Sequence, residues 1–159
     1  KPTGIFDKTK GGESIGTLTA ALKSDDILDL IYKLKRPYRK NASFIMNDAT
    51  LAQIRKLKDN NGQYLWQPSL TEGTPDKLLG RPVYTSAYMP TAAAGAKTIA
   101  FGDFKYYWIA DRQGRCFRRL NELYAATGQV GFLGSQRVDG KLILSEAVKV
   151  LAQKAGSSS

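Results

Sequence analysis

No run of apolar residues in this chain is longer than five, and the longest, Tyr106 to Ala110, stands alone. That length is far below the roughly 20 residues a membrane helix needs. It also confines any buried strand to a few residues, so the fold has to be assembled from short elements punctuated by turns. With 159 residues the chain can bury about 70% of its unfolded surface, enough for one good core and hardly for two. Hydrophobic residues make up 42%, which is ordinary for a globular chain and argues against global disorder.

Helical periodicity is clearest early. Ile27, Leu30, Ile31 and Leu34 recur on one face, Ser24 is placed to cap, Asp25, Asp26 and Asp29 suit the positive helix start, and Pro37 is expected to close the helix. Ala42 to Met46 reads as a buried strand. Asn47 is a plausible cap for a second helix carrying Leu51, Ile54 and Leu57. Strands are expected at 83–85, 98–101, 106–110, 115–120, 129–138 and 147–151. Turn chemistry marks Asn60-Asn61-Gly62, Asp111 to Gly114, and Asp139-Gly140, the last with the sequence of a hairpin turn. Residues 1–16, with four glycines, read as a lead-in without periodicity, and Gly156 to Ser159 as a frayed end. No internal repeat is present.

Composition removes several chemistries. With no histidine there is no Ser-His or Cys-His pair and no imidazole ligand, and one cysteine makes neither an internal disulfide nor a thiolate metal cluster. Cys116 has arginine neighbours that could activate a thiol, but a lone cysteine more commonly serves as a small buried hydrophobe. The carboxylates form no spaced pair suited to acid–base work. Gly128, Gly131 and Gly134 lack the order of a dinucleotide fingerprint, and Gly11-Gly12 lacks the lysine of a P-loop. Neither an enzyme nor a cofactor is expected.

Binding is better signalled. The 24 Lys+Arg against 14 Asp+Glu leave a formal charge of +10. Basic residues gather at 33–40, 55–58 and 112–119. Such clusters can neutralise phosphates, though helix C-termini also favour them. Arginines on an extended segment suit forked ion pairs with carboxylates of a neighbouring subunit.

The order of several motifs resembles the major capsid protein family of tailed bacteriophages and their prophages. The motifs are Phe44-Ile45-Met46-Asn47 before a helix, Leu57 to Leu65, Leu79-Gly80-Arg81-Pro82-Val83, Met89-Pro90, Phe101-Gly102-Asp103-Phe104, Asp111-Arg112, and Arg137 to Lys141 with Ala147. Pro2-Thr3-Gly4-Ile5 fits the stretch after that family's spine helix, and an opening Lys1 suggests a fragment whose missing portions hold balancing acids.

The resemblance implies an α+β fold: a small mixed sheet flanked by helices, the axial-like domain, with an extended antiparallel strand excursion, the peripheral-like part. Residues 1–13 would be the lead-in loop, 14–112 and 141–152 the axial-like domain, 113–140 the peripheral-like strands and 153–159 a disordered tail. It implies a structural role, with copies tiling into capsomers of an icosahedral head that encloses DNA as a non-specific neighbour. The site is the virion, reached from the bacterial cytoplasm, with no membrane and with scaffold, portal and protease as further partners. Subunit contacts are expected at Arg112, Arg118, Arg119, Arg137 and Asp139. The loops 66–79 and 89–97, with Trp66, Pro68, Glu72, Met89 and Pro90, are expected at the capsomer axis. Some members cross-link themselves through Lys, Asn and Glu; Gly128 and Ser135 stand near the last two positions, so that activity is not carried over. Two other readings are an encapsulin-like compartment shell and a basic nucleic-acid-binding module without sequence preference.

Overall fold

In a computed structural model, residues 2–18, 22–57, 76–91 and 95–153 are described. The chain forms β1 (Glu13–Leu18), α1 (Ser24–Lys33), the one-turn α2 (Arg36–Arg39), β2 (Ser43–Met46), α3 (Asp48–Arg55), β3 (Lys77–Leu78), β4 (Arg81–Thr85), β5 (Lys97–Gly102), β6 (Tyr107–Leu120), β7 (Gly131–Leu142) and β8 (Val148–Gln153). Six strands make one mixed sheet in the order β1-β8-β5-β2-β4-β3, and β6 and β7 pair as a separate two-stranded ribbon. The α+β fold expected from the sequence, a mixed sheet with helices and an antiparallel excursion, is what forms.

Strand alternation sorts the core into two layers. On one face Phe44 and Met46 of β2, Ile99 and Phe101 of β5 and Leu151 of β8 meet Ile27 and Leu30 of α1 and Leu51 and Ile54 of α3. The rings of Phe44 and Phe101 lie 4.4 Å apart. On the other face Ala100, Val148 and Val150 pack with Leu142 beneath Ile5, Phe6, Met89, Phe104 and Tyr107. Gly102 is required where the end of β5 lies against the start of β8, because a Cβ there would lie 2.3 Å from the Ala147 carbonyl oxygen.

Several local expectations are corrected. The glycine-rich start holds β1, which pairs in parallel with β8; Glu13 stands opposite Lys149, and their side chains form an ion pair. The cap of α1 is Lys23, with Ser24 inside the helix; Asp26 reaches back to accept from the Lys23 N–H at 2.8 Å. That helix ends at Lys33, and Pro37 sits in the first turn of α2, where a missing N–H costs no hydrogen bond. Asn47 caps α3 as expected, accepting from the Ala49 N–H at 2.9 Å.

The largest corrections concern the ribbon. Asp111 to Gly114 is no turn: β6 runs through it, and Gln113 and Gly114 form a bulge between the pairs Arg112–Arg137 and Arg115–Gln136. Gly114 supplies the φ of +61°. Asp139-Gly140 is likewise mid-strand in β7, and the chain reverses instead between Leu120 and Gly131. The turn at 60–62 and the tail from 154 onward lie outside the described residues.

Candidate interaction surface on the ribbon

Among the described residues, the ribbon's anchoring hydrogen bonds to the body lie at its base. Tyr107 Oη donates to the Thr3 carbonyl at 3.0 Å, and the Thr3 N–H donates to the Gly140 carbonyl at 2.7 Å. The Ile143 N–H donates to Tyr106 O at 3.0 Å. Beside this base, Glu146 binds two groups of the α2 region: it accepts from Tyr38 Oη at 2.6 Å and pairs with Lys35. The Tyr38 ring meets Tyr106 edge-on at 5.5 Å. Lys35, then Tyr38, hold the Glu146 carboxyl below its usual range; the same contact pushes the Tyr38 phenol up to about 12. The sequence shows Lys35 and Tyr38 only as part of the basic cluster at 33–40 and gives no sign of Glu146 as their partner, because the network joins residues 108 and 111 positions apart.

Beyond the base the ribbon has two unlike faces. The bulge adds two residues, an even number, so the alternation of side chains carries through it. One face holds Arg112, Cys116 and Arg118 of β6 beside Leu133, Ser135 and Arg137 of β7, around an open hollow of about 260 Å³. Asp139 adjoins it in a neighbouring hollow shared with Arg112 and Arg137. The other face holds Ile109, Phe117, Arg119, Phe132 and Val138. There Arg115 Nε donates to Gln136 Oε1 at 3.3 Å, and Gln136 Nε2 donates to Asp111 Oδ2 at 3.1 Å. Phe117 lies across Gly134, within 3.1 Å of where a Cβ would stand.

The five expected contact residues therefore divide: Arg112, Arg118, Arg137 and Asp139 share one face, and Arg119 lies on the opposite one. Large apolar side chains are exposed along the ribbon, including Phe117 at 76%, Phe132 at 74%, Ile109 at 71% and Trp108 at 65%. Cys116, expected as a buried hydrophobe, is exposed, because a two-stranded ribbon has no interior to bury it in.

Of the other expected positions, Met89 is half-buried against the second core layer, and its carbonyl accepts from Asn47 Nδ2 at 2.9 Å. Pro90 and Tyr88 are exposed beside it. Trp66, Pro68 and Glu72 lie outside the described residues. Among the described residues no group of three or more metal-binding side chains occurs, and no helix is long and apolar enough to cross a membrane.

Comparison with known proteins agrees with this architecture. The phage capsid family matches residues 1–152. The chain is similar to the capsid of an empty GTA particle, with 38% identity and a TM-score of 0.79 over 98% of this chain and 57% of that one. It is equally similar to the capsid of a native GTA particle, at 39% identity and TM-score 0.79, over 97% of this chain and 56% of that one. The chain thus spans little more than half the length of either. An encapsulin complex from Synechococcus elongatus shares the fold at 18% identity and TM-score 0.65, covering 96% of this chain and 56% of that chain. No curated protein matches the chain.

Proposed function

Because this chain belongs to the phage capsid family, we propose that it is part of a shell subunit, copies of which tile into capsomers of an icosahedral head enclosing DNA. One observation carries this reading: the ribbon exposes the large apolar side chains Trp108, Ile109, Phe117, Phe132 and Leu133 to solvent. A lone two-stranded ribbon is marginal in water, and apolar patches of this kind mark surfaces that other protein covers. Free strand edges on both sides add unpaired backbone groups that a neighbour can satisfy.

In this reading residues 14–112 and 141–152 are the axial unit that gathers around the capsomer axis, and 113–140 are the peripheral strands that reach between capsomers. Arg112, Arg118, Arg119, Arg137 and Asp139 contact neighbouring copies. The loops 66–79 and 89–97 face the axis, with Trp66, Pro68, Glu72, Met89 and Pro90. The protein works by contact and not by catalysis. It is made in the bacterial cytoplasm and ends in the virion, where basic surface lessens repulsion with packaged DNA without reading its sequence. Scaffold, portal and protease act on the subunit during assembly.

The test is expression of the whole gene encoding this chain, alone and with its scaffold, followed by electron microscopy and light scattering. Shells or capsomers are expected. Monodisperse monomers under all assembly conditions would refute the reading, and portal and terminase genes beside it would distinguish a head from an encapsulin-like compartment.

A further inference from the structure

The hollow on the ribbon gathers positive charge that the chain itself leaves unanswered. Arg112 and Arg137 are direct cross-strand partners, so their Cα atoms stand roughly 5 Å apart, and Arg118 lines the same hollow. Like charges opposed across a strand pair destabilise it. Among the described residues none of these three guanidinium groups has an ion pair or a hydrogen bond. Asp139, the carboxylate adjoining them, makes no ion pair with any of the three among the described residues; its Oδ1 accepts from the Gly140 N–H at 3.0 Å. On the opposite face, by contrast, Arg115, Gln136 and Asp111 satisfy one another.

We infer that this hollow receives carboxylates from a second copy of the chain, an inference that rests on the shell reading above. Arginine's fork binds carboxylate oxygens in pairs. The chain also carries suitable counter-charge elsewhere: Asp25 and Asp29, four residues apart on α1, and Glu122 at the ribbon tip are exposed and have no ion pair among the described residues. A protein surface is favoured over a phosphate backbone because Leu133, half exposed at 51%, lines the same hollow. An acidic protein segment covers apolar surface while it neutralises charge, and a phosphate backbone does not. Arg119, on the far face, takes no part.

Cys116 lies in the hollow and reports its occupancy through its rate of alkylation by N-ethylmaleimide. With the 159-residue chain at low salt, poly-L-glutamate should slow alkylation at least about fivefold. The Arg112→Gln/Arg137→Gln double variant should lose that protection, whereas Arg36→Gln/Lys40→Gln on α2 and after it should keep it. Equal or stronger protection by a duplex oligonucleotide of the same charge would assign the hollow to phosphate and overturn the inference, as would no protection by either. In assembled shells Cys116 should be protected whether or not DNA is inside. Shells assembled from isotopically light and heavy subunits, a minority of them labelled at Cys116 with a maleimide–diazirine reagent before assembly, should on illumination join Cys116 to an Asp- or Glu-bearing segment of another copy. Shells in which Cys116 stays reactive, or joins only its own copy, would sink this inference alone. Failure to form any shell would instead remove the reading beneath it, and the second copy with it.

Discussion

Replacing Gly102 with alanine tests the packing of β5 on β8 with a single methyl group. In a strand with room to spare, Gly→Ala stabilises by about 0.4–1 kcal/mol, since the unfolded chain loses more freedom. Here the new Cβ would lie 2.3 Å from Ala147 O and 2.6 Å from Val148 Cα, both backbone atoms of fully buried residues. Real Cβ atoms essentially never come within 3.0 Å of another heavy atom of this kind, so the two strands must part by roughly 0.7 Å. That movement strains the Gly102–Val148 pair and the 3.1 Å hydrogen bond from the Asp103 N–H to Ala147 O. Overpacking of this kind costs about 1–3 kcal/mol, and a weakened hydrogen bond about 1 kcal/mol more. After the entropic gain is offset, a net loss of about 1–3.5 kcal/mol remains. For a chain of this size that lowers Tm by roughly 2–14 °C. Thermal unfolding followed by circular dichroism measures it, with Gly4→Ala, where nothing lies within 4 Å, as the neutral control. If Gly102→Ala melts at or above the unsubstituted chain, the close approach of β5 and β8 is not as described.

Three further outcomes follow from the body of the molecule. Asn47→Ala should lose about 2 kcal/mol in denaturant titration, about half from the cap of α3 and half from the orphaned Met89 carbonyl, whereas Asn47→Asp should lose only the second part. Thr98→Val should gain on the order of 1 kcal/mol, because the buried Thr98 hydroxyl has no hydrogen-bond partner among the described residues. The Tyr38–Glu146 contact gives stability two pH limits. Tyr38 ionises at about 12 rather than 10.0, so its contribution is complete below pH 10 and fades as pH rises toward 12. Glu146 has a depressed carboxyl, so its contribution is present above the ordinary carboxylate range and lost as pH falls through the folded value. Glu146→Gln should flatten both limbs of a stability-against-pH curve, and a curve unchanged by that substitution would rule out the contact as their source.

Much of the body was legible in the sequence, because local signals and the tertiary fold agree there. The stripe Ile27-Leu30-Leu34 does face the core, Asn47 does cap, and β2, β4, β5 and β8 lie within a few residues of where their apolar runs place them. The ribbon was less legible, since glycine and aspartate carry the same local signal in a turn, a bulge and a crowded strand. Gly114 serves a bulge, and Gly140 leaves room for the Tyr107 hydroxyl, 2.6 Å from where a Cβ would stand. Neither role is written in neighbouring residues. The division of the arginines was hidden for a related reason: only an even-numbered bulge returns Arg112 and Arg118 to one face, and the register that fixes it is set by β7, some twenty residues away.

The tie between Thr3 and the ribbon base has a mechanical consequence. The segment that leads into β1 crosses the ribbon at Gly140 and Tyr107 before it joins the sheet, held there by one bond from each ribbon strand. Tension along that segment would load those two bonds first and bear on the ribbon's root, ahead of the paired strands of the body.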